Sequence, residues 1–266
     1  MHWKMAAATL AAFMLLSSAS QADAQRRRRG NPELDAAVEL LGAEDRDQVR
    51  SGLEALGLMG DPGAVAPIAA RIRRGLPADL LDIAVDTLTI LGRAEAGPIL
   101  VELVRHRRPG IRLKAVQGIV ATRPRGAARV LTGALSDTDE TVRAAAAEGL
   151  GTLGAHEGID DLFHALDRRV PNAAMAIGQL ARPADVDRFL GYLGQLPFDQ
   201  VTPALSEMLH RDDLAERAKL AIVHRLTELA TPEVRTFLED FVNGLDIDDR
   251  SQVRRAAEDA IPRIGQ

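Results

Sequence analysis

In Val142-Arg143-Ala144-Ala145-Ala146-Ala147-Glu148-Gly149-Leu150-Gly151-Thr152-Leu153-Gly154, apolar or small side chains fall at Val142, Ala146, Leu150 and Leu153, and a glycine follows. Offsets of four, eight and eleven residues lie on one face of an α-helix. Gly154 stops that helix, because glycine enters the left-handed conformation without a steric penalty.

The same template recurs along the chain. It is found at Leu80, Ala84, Leu88, Leu91 and Gly92, at Ile111, Ala115 and Ile119, and at Val253, Ala257, Ile261, Ile264 and Gly265. A weaker copy runs Ala173, Ile177, Leu180 and Ala181; Gly52, Leu56 and Gly60 fit a first copy whose Val49-Arg50 pair sits one residue late. Between these helices lies a second series with stripes at i, i+3, i+4 and i+7. Its first members are Leu34, Val65, Ala96, Ala127, Ile159 and Val186, stepping by 31 or 32 residues until a last step of 27. Val234, Phe237, Leu238 and Phe241 close it. Self-similarity at such a period is the mark of stacked two-helix repeats, each burying a face its neighbour covers.

Helix starts agree with the stripes. Asn31-Pro32, Asp61-Pro62 and Thr231-Pro232 each set a capping side chain before a proline at the first helical position. Gly52, Ala84, Ala115, Ala146, Ala173 and Ala257 share one template position, which implies close helix–helix approach there. Between Pro197 and Asp213 the period is lost, and Val201, Ala204, Leu205 and Met208 suggest one extra or degenerate helix.

On these residues the chain resembles a HEAT-repeat protein, specifically the short bacterial type named after phycobilisome lyases; the consensus is close to residues 142–154 as they stand. The resemblance spans residues 32–266. It implies an all-α, right-handed α-α superhelix of six to seven helix pairs, with the second helices lining its concave side. The motif residues are packing residues, so the resemblance speaks to fold rather than chemistry.

The first residues differ from the rest. Lys4 precedes an apolar run from Met5 to Leu16, and Ala22-Asp23-Ala24 supplies small residues where a signal peptidase cuts. This layout predicts a signal peptide over 1–24, cleaved after Ala24, and export to the periplasm or beyond. A buried N-terminal helix or an uncleaved anchor is the alternative, and Arg26 to Arg29 work against translocation. Residues 25–31 then form a basic, disordered lead-in, and the mature chain has no membrane span.

Composition closes several routes. Aromatic residues are only 3%, so a core of Leu, Ile, Val and Ala suits helices better than sheets. With no cysteine there is no disulfide, thiolate nucleophile or cysteine-based metal site. Arginine outnumbers lysine thirty to three, a compositional bias before it is a functional signal. The net charge is -5, and about -9 without the four arginines at 26–29, which argues against a nucleic-acid binder.

The resemblance also supplies enzymatic rivals. The di-iron hydroxylases of this fold need several His-Glu pairs, whereas His156-Glu157 stands alone in the turn after Gly154. Asp160, Asp161 and His164 could share a helical face, but acidic residues in a first turn are expected of any helix. HEAT-like glycosylases clamp DNA with basic and aromatic side chains, and Tyr192 is the one tyrosine here. No catalytic constellation, cofactor site or metal site is expected.

What remains is binding. Arg74, Arg105, Ser136 and Arg168 recur in the last turn of successive second helices, a basic row suited to an acidic partner segment or to satisfying helix C-termini. Arg129, Asp161 and Arg188 form another row that reads as a charge ladder. Arg105-His106-Arg107-Arg108 is the densest basic stretch of the body and reads as a solvated loop. The expectation is a non-enzymatic protein-binding scaffold of the cell envelope, with Arg74, Arg105 and Arg168 contacting another protein or peptide. The alternatives are an enzyme or cofactor binder with its site in the groove, and a cytoplasmic scaffold.

Overall fold

The computed structural model describes residues 31–264. The expected signal peptide and the basic stretch before Asn31 lie outside the described residues. Within them the chain is all-α: fifteen helices and, among the described residues, no strand beyond one isolated bridge between Leu193 and Leu196. Two compact units divide between Ala96 and Gly97.

The first unit holds α1 (Pro32–Leu40), α2 (Arg46–Met59), α3 (Val65–Arg74) and α4 (Ala78–Leu91). Asn31 and Asp61 cap as the sequence requires, accepting from the backbone N–H groups of Glu33 and Gly63. Helices α2 and α4 stop at Gly60 and Gly92, at φ 63° and 60°. These two template helices pack on each other, with α1 against α2 and α3 against α4. A Cβ on Gly52 would stand 2.9 Å from the Ala37 carbonyl oxygen and from Leu40 Cβ, so the small residue sets how closely α1 and α2 approach. Val49 is buried, so its displacement by one position still keeps it on the core face.

The second unit runs through α5 (Gly97–Leu103), α6 (Pro109–Thr122), α7 (Ala127–Ala134), α8 (Glu140–Leu153), α9 (Ile159–Asp167) and α10 (Ala173–Leu180). It continues with α11 (Pro183–Leu190), α12 (Phe198–His210), α13 (Glu216–Leu229), α14 (Pro232–Gly244) and α15 (Gln252–Ala260). The template helices α6, α8 and α10 stack in one layer, and α5, α7 and α9 each pair with the template helix that follows. Ile111, Ile119, Leu131, Val142, Leu150 and Leu162 are fully buried between them. Each such side chain contributes roughly 1.5–3 kcal/mol relative to exposure.

Past α11 the order changes. Helix α12, expected as an extra helix, packs against α10, where the next template helix would have stood. The following template helix, α13, packs against α11 instead, and α15 packs against α13. Helix α13 is a template copy absent from the series above, with Ala218, Ile222, Leu226 and Leu229 at the template offsets. Its stop is Ala230, left-handed at φ 51°, where the other copies place glycine.

The arginine after the first template position has a structural task. Arg143 donates to the carbonyls of Asp137 and Thr138 at 2.9 and 3.1 Å, and Arg254 donates to that of Asp246 at 2.7 Å. Arg112 reaches the His106 carbonyl at 3.0 Å and grips Asp137 with two bonds of 2.8 and 2.6 Å. Lysine cannot reproduce this planar fork. Burial works against the charge of Asp137, but the bonds from Arg112 and from the Asp139 N–H outweigh it and hold the carboxyl below its ordinary value. Both side chains of the pair are 11% exposed. Asp137→Ala is therefore expected to cost about 2–3 kcal/mol in urea unfolding, because the half-buried Arg112 loses its partner. The sign with pH follows from a depressed carboxyl: its contribution is full above the unfolded-state value of 3.8 and is lost as pH falls through the lower folded value. Asp137→Asn should flatten the acid limb of the stability profile by the same logic.

Candidate partner-binding face

The helices between template helices leave grooves in the second unit. One lies between α5 and α7 and has a volume of about 670 Å³. Its apolar part is Val101, 39% exposed, with Val104 and Val130 half-buried beside it. Gly133 keeps it open, since nothing lies within 4 Å of where its Cβ would be. Around these side chains stand Arg105, Arg107 and Arg129, all exposed, with no side-chain partner among the described residues. Asp137, the one carboxylate on the wall, is already taken by Arg112.

His106 is biased toward its neutral form. Burial, then repulsion by Arg108, Arg107 and Arg112, lowers its pKa, and its Nδ1 accepts from the Arg108 N–H at 3.2 Å. Arg105 to Arg107 thus line the groove, where the sequence reads as a solvated loop with Arg105 as a candidate contact.

A second groove, about 630 Å³, adjoins the first across Arg129 and lies between α7 and α9. It mixes signs: Arg123 and Arg129 face Glu157 and Asp161. Beside α9 the side chains are paired. Arg188 lies over the Phe163 ring, 3.9 Å from its centroid, and pairs with Asp160 at 2.8 Å. Tyr192 stacks on Phe163 and donates to Asp167 at 2.6 Å. Burial and then that bond push the phenol up to about 12.

The three arginines singled out from the sequence fare differently. Arg74 is exposed at the end of α3, in the first unit. Arg105 faces the α5–α7 groove. Arg168 does not point free. It donates to the Leu135 carbonyl and to Ser136 Oγ, both at 3.2 Å, and so ties the end of α9 to the end of α7. Arg71 does the same in the first unit, donating to the Leu41 carbonyl at 2.8 Å. The expected ladder of Arg129, Asp161 and Arg188 is corrected: Arg188 takes Asp160, because its position over Phe163 turns it toward that side of α9. Arg129, the remaining member of that row, lines both grooves. His156 is committed to the fold through its Nδ1, 2.9 Å from the Leu180 carbonyl.

A family model described as HEAT repeats matches residues 97–181, from the start of α5 to the end of α10. Residues 97–181 carry HEAT repeats. Among solved structures, the chain is similar to the complex of CpcE and CpcF of phycocyanin lyase from Nostoc sp. PCC7120. The identity is 18%, over 87% of this chain and 94% of that one, at a TM-score of 0.47. Human deoxyhypusine hydroxylase, in complex with glycerol, is similar at 22% identity, 88% and 96% coverage and a TM-score of 0.42. A designed armadillo repeat protein in complex with peptide (KR)4 is similar at 17% identity, 87% and 99% coverage and a TM-score of 0.40. No curated protein matches in sequence.

Proposed function

We propose that this HEAT-repeat protein is a non-enzymatic scaffold of the cell envelope that holds another protein chain on its α5–α7 face. A repeat fold suits that work, because stacked helices present a long surface built from many small side-chain choices. The observation that carries the reading is the local charge. In a chain with a net charge of -5, three unpaired arginines surround an open apolar groove. Unpaired like charges repel one another, and a segment bearing carboxylates beside an apolar side chain removes that cost.

The apolar run Met5 to Leu16 and the small residues Ala22 to Ala24 support export. Gln25 at the N-terminus of the protein recovered from cells is the expected result; an N-terminus at Met1 contradicts it.

The binding test uses a fluorescent peptide rich in aspartate around a central isoleucine, followed by anisotropy. Arg105→Glu combined with Arg129→Glu should weaken binding by roughly tenfold or more, and added salt should weaken binding to the parent protein. Unchanged affinity in the double variant removes the groove as the binding site. Metal analysis of the purified protein is the matching check on the non-enzymatic reading, which stoichiometric bound metal would overturn.

A further inference from the structure

The loop between α14 and α15 carries the chemistry that the α5–α7 groove lacks. Residues 245–250 read Leu-Asp-Ile-Asp-Asp-Arg, and Ile247 is 87% exposed. Asp246 and Asp248 flank it, both exposed and without side-chain partners among the described residues. Asp249 is spent on the loop itself, accepting from the Ser251 N–H at 2.6 Å. Arg254 braces the segment through the Asp246 carbonyl at 2.7 Å. A loop already held in shape loses little conformational freedom on binding.

We propose that the 245–250 loop of one copy docks in the α5–α7 groove of a second copy. Ile247 enters between Val101, Val104 and Val130, and Asp246 and Asp248 meet Arg105 and Arg129. This rests on the reading of the groove as a site for an acidic segment, and it names that segment. Within a single chain the loop stays exposed, so a second copy must bring it. Loop and groove are different surfaces. The contact is therefore head-to-tail, and it propagates into a ring or a filament rather than ending at a dimer. One loop in one groove buries less than a standard interface, which sets the affinity on the order of 10–100 µM.

Sedimentation velocity of the full chain at low salt tests this. The parent protein should grow beyond dimers as its concentration passes about 100 µM. Arg105→Glu and Asp248→Arg should each weaken assembly by roughly tenfold or more. Mixed in equal amounts, the two variants should recover assembly at least to dimers, because the intact loop of one meets the intact groove of the other. A parent protein that stays monomeric, a variant that assembles like the parent, or a mixture no larger than its components overturns the proposal. Asp248→Arg should leave binding of the aspartate-rich peptide unchanged. Peptide binding without self-assembly would thus remove only the proposed occupant, whereas loss of both removes the groove reading as well.

Discussion

Leu150→Asp should cost about 4 kcal/mol or more and turn the cooperative urea transition of the second unit into an early, broadened one. Leu150 is fully buried in α8, the template helix that packs against both α6 and α10. Its methyl groups lie against Gly158, where a Cβ would come within 3.1 Å of Cδ2. A carboxylate there has no cation within the apolar layer and must either remain charged in a poor solvent or bind a proton. Both cost several kcal/mol. Because each repeat is covered by its neighbours, the loss spreads to α6 and α10, and hydrogen exchange should quicken in those helices too. Leu58→Asp is the control. That side chain is 91% exposed at the end of α2, and its replacement should change stability by no more than about 0.5 kcal/mol. Equal effects at the two positions would contradict the buried layer.

The second large effect is expected at Gly178, where α10 and α12 meet. A Cβ placed there would lie 2.9 Å from both the Cα and the carbonyl oxygen of Ala204. These are backbone atoms of α12 and cannot rotate aside, so Gly178→Val must push the helices apart and open the layer around Ile177, Leu205 and Met208. A loss of about 3 kcal/mol is expected, whereas helix propensity alone would favour valine over glycine by about a few tenths of a kcal/mol. Gly133→Val distinguishes crowding from propensity, since that glycine is also helical but has open space around it. If both substitutions cost the same, the close approach of α10 and α12 is not what holds the second unit together past the break in period.

Much of this was legible in residues 142–154 and their copies, because a packed layer between helices tolerates only small or apolar side chains at fixed offsets. The caps at Asn31, Asp61 and Thr231 were legible for a similar reason: proline and a capping oxygen serve one local geometry. The misses share a different cause. Helix α13 was passed over because Ala230 stands where glycine usually signals a stop, although the backbone there is left-handed all the same. That Arg188 pairs with Asp160 depends on the ring of Phe163, a contact between helices that no spacing within one helix specifies. Arg168 and Arg105 occupy equivalent helix ends in the sequence. One satisfies the carbonyl of Leu135 and the other faces the groove, a difference that the spacing along the chain does not carry. The arginine of each Val-Arg or Ile-Arg pair looked like part of a packing motif, and its bonds to loop carbonyls appear only once the loops are in place.

These differences shape the functional reading. A row of equivalent arginines would have suggested a long basic track. Arg112, Arg143, Arg168 and Arg188 are held by the fold, Arg74 stands exposed in the first unit, and Arg105, Arg107 and Arg129 gather at one groove. The apolar wall and open Gly133 then give those charges something to act beside.

Photo-crosslinking from inside the groove tests that claim most directly. A crosslinking residue at Val101, compared with one at the fully displayed Leu58, should join covalently to a bound acidic chain, and the adduct should vanish when Arg105 and Arg129 are reversed to glutamate. Equal labelling from positions 101 and 58, or an adduct at 101 indifferent to the charge reversal, would contradict the account.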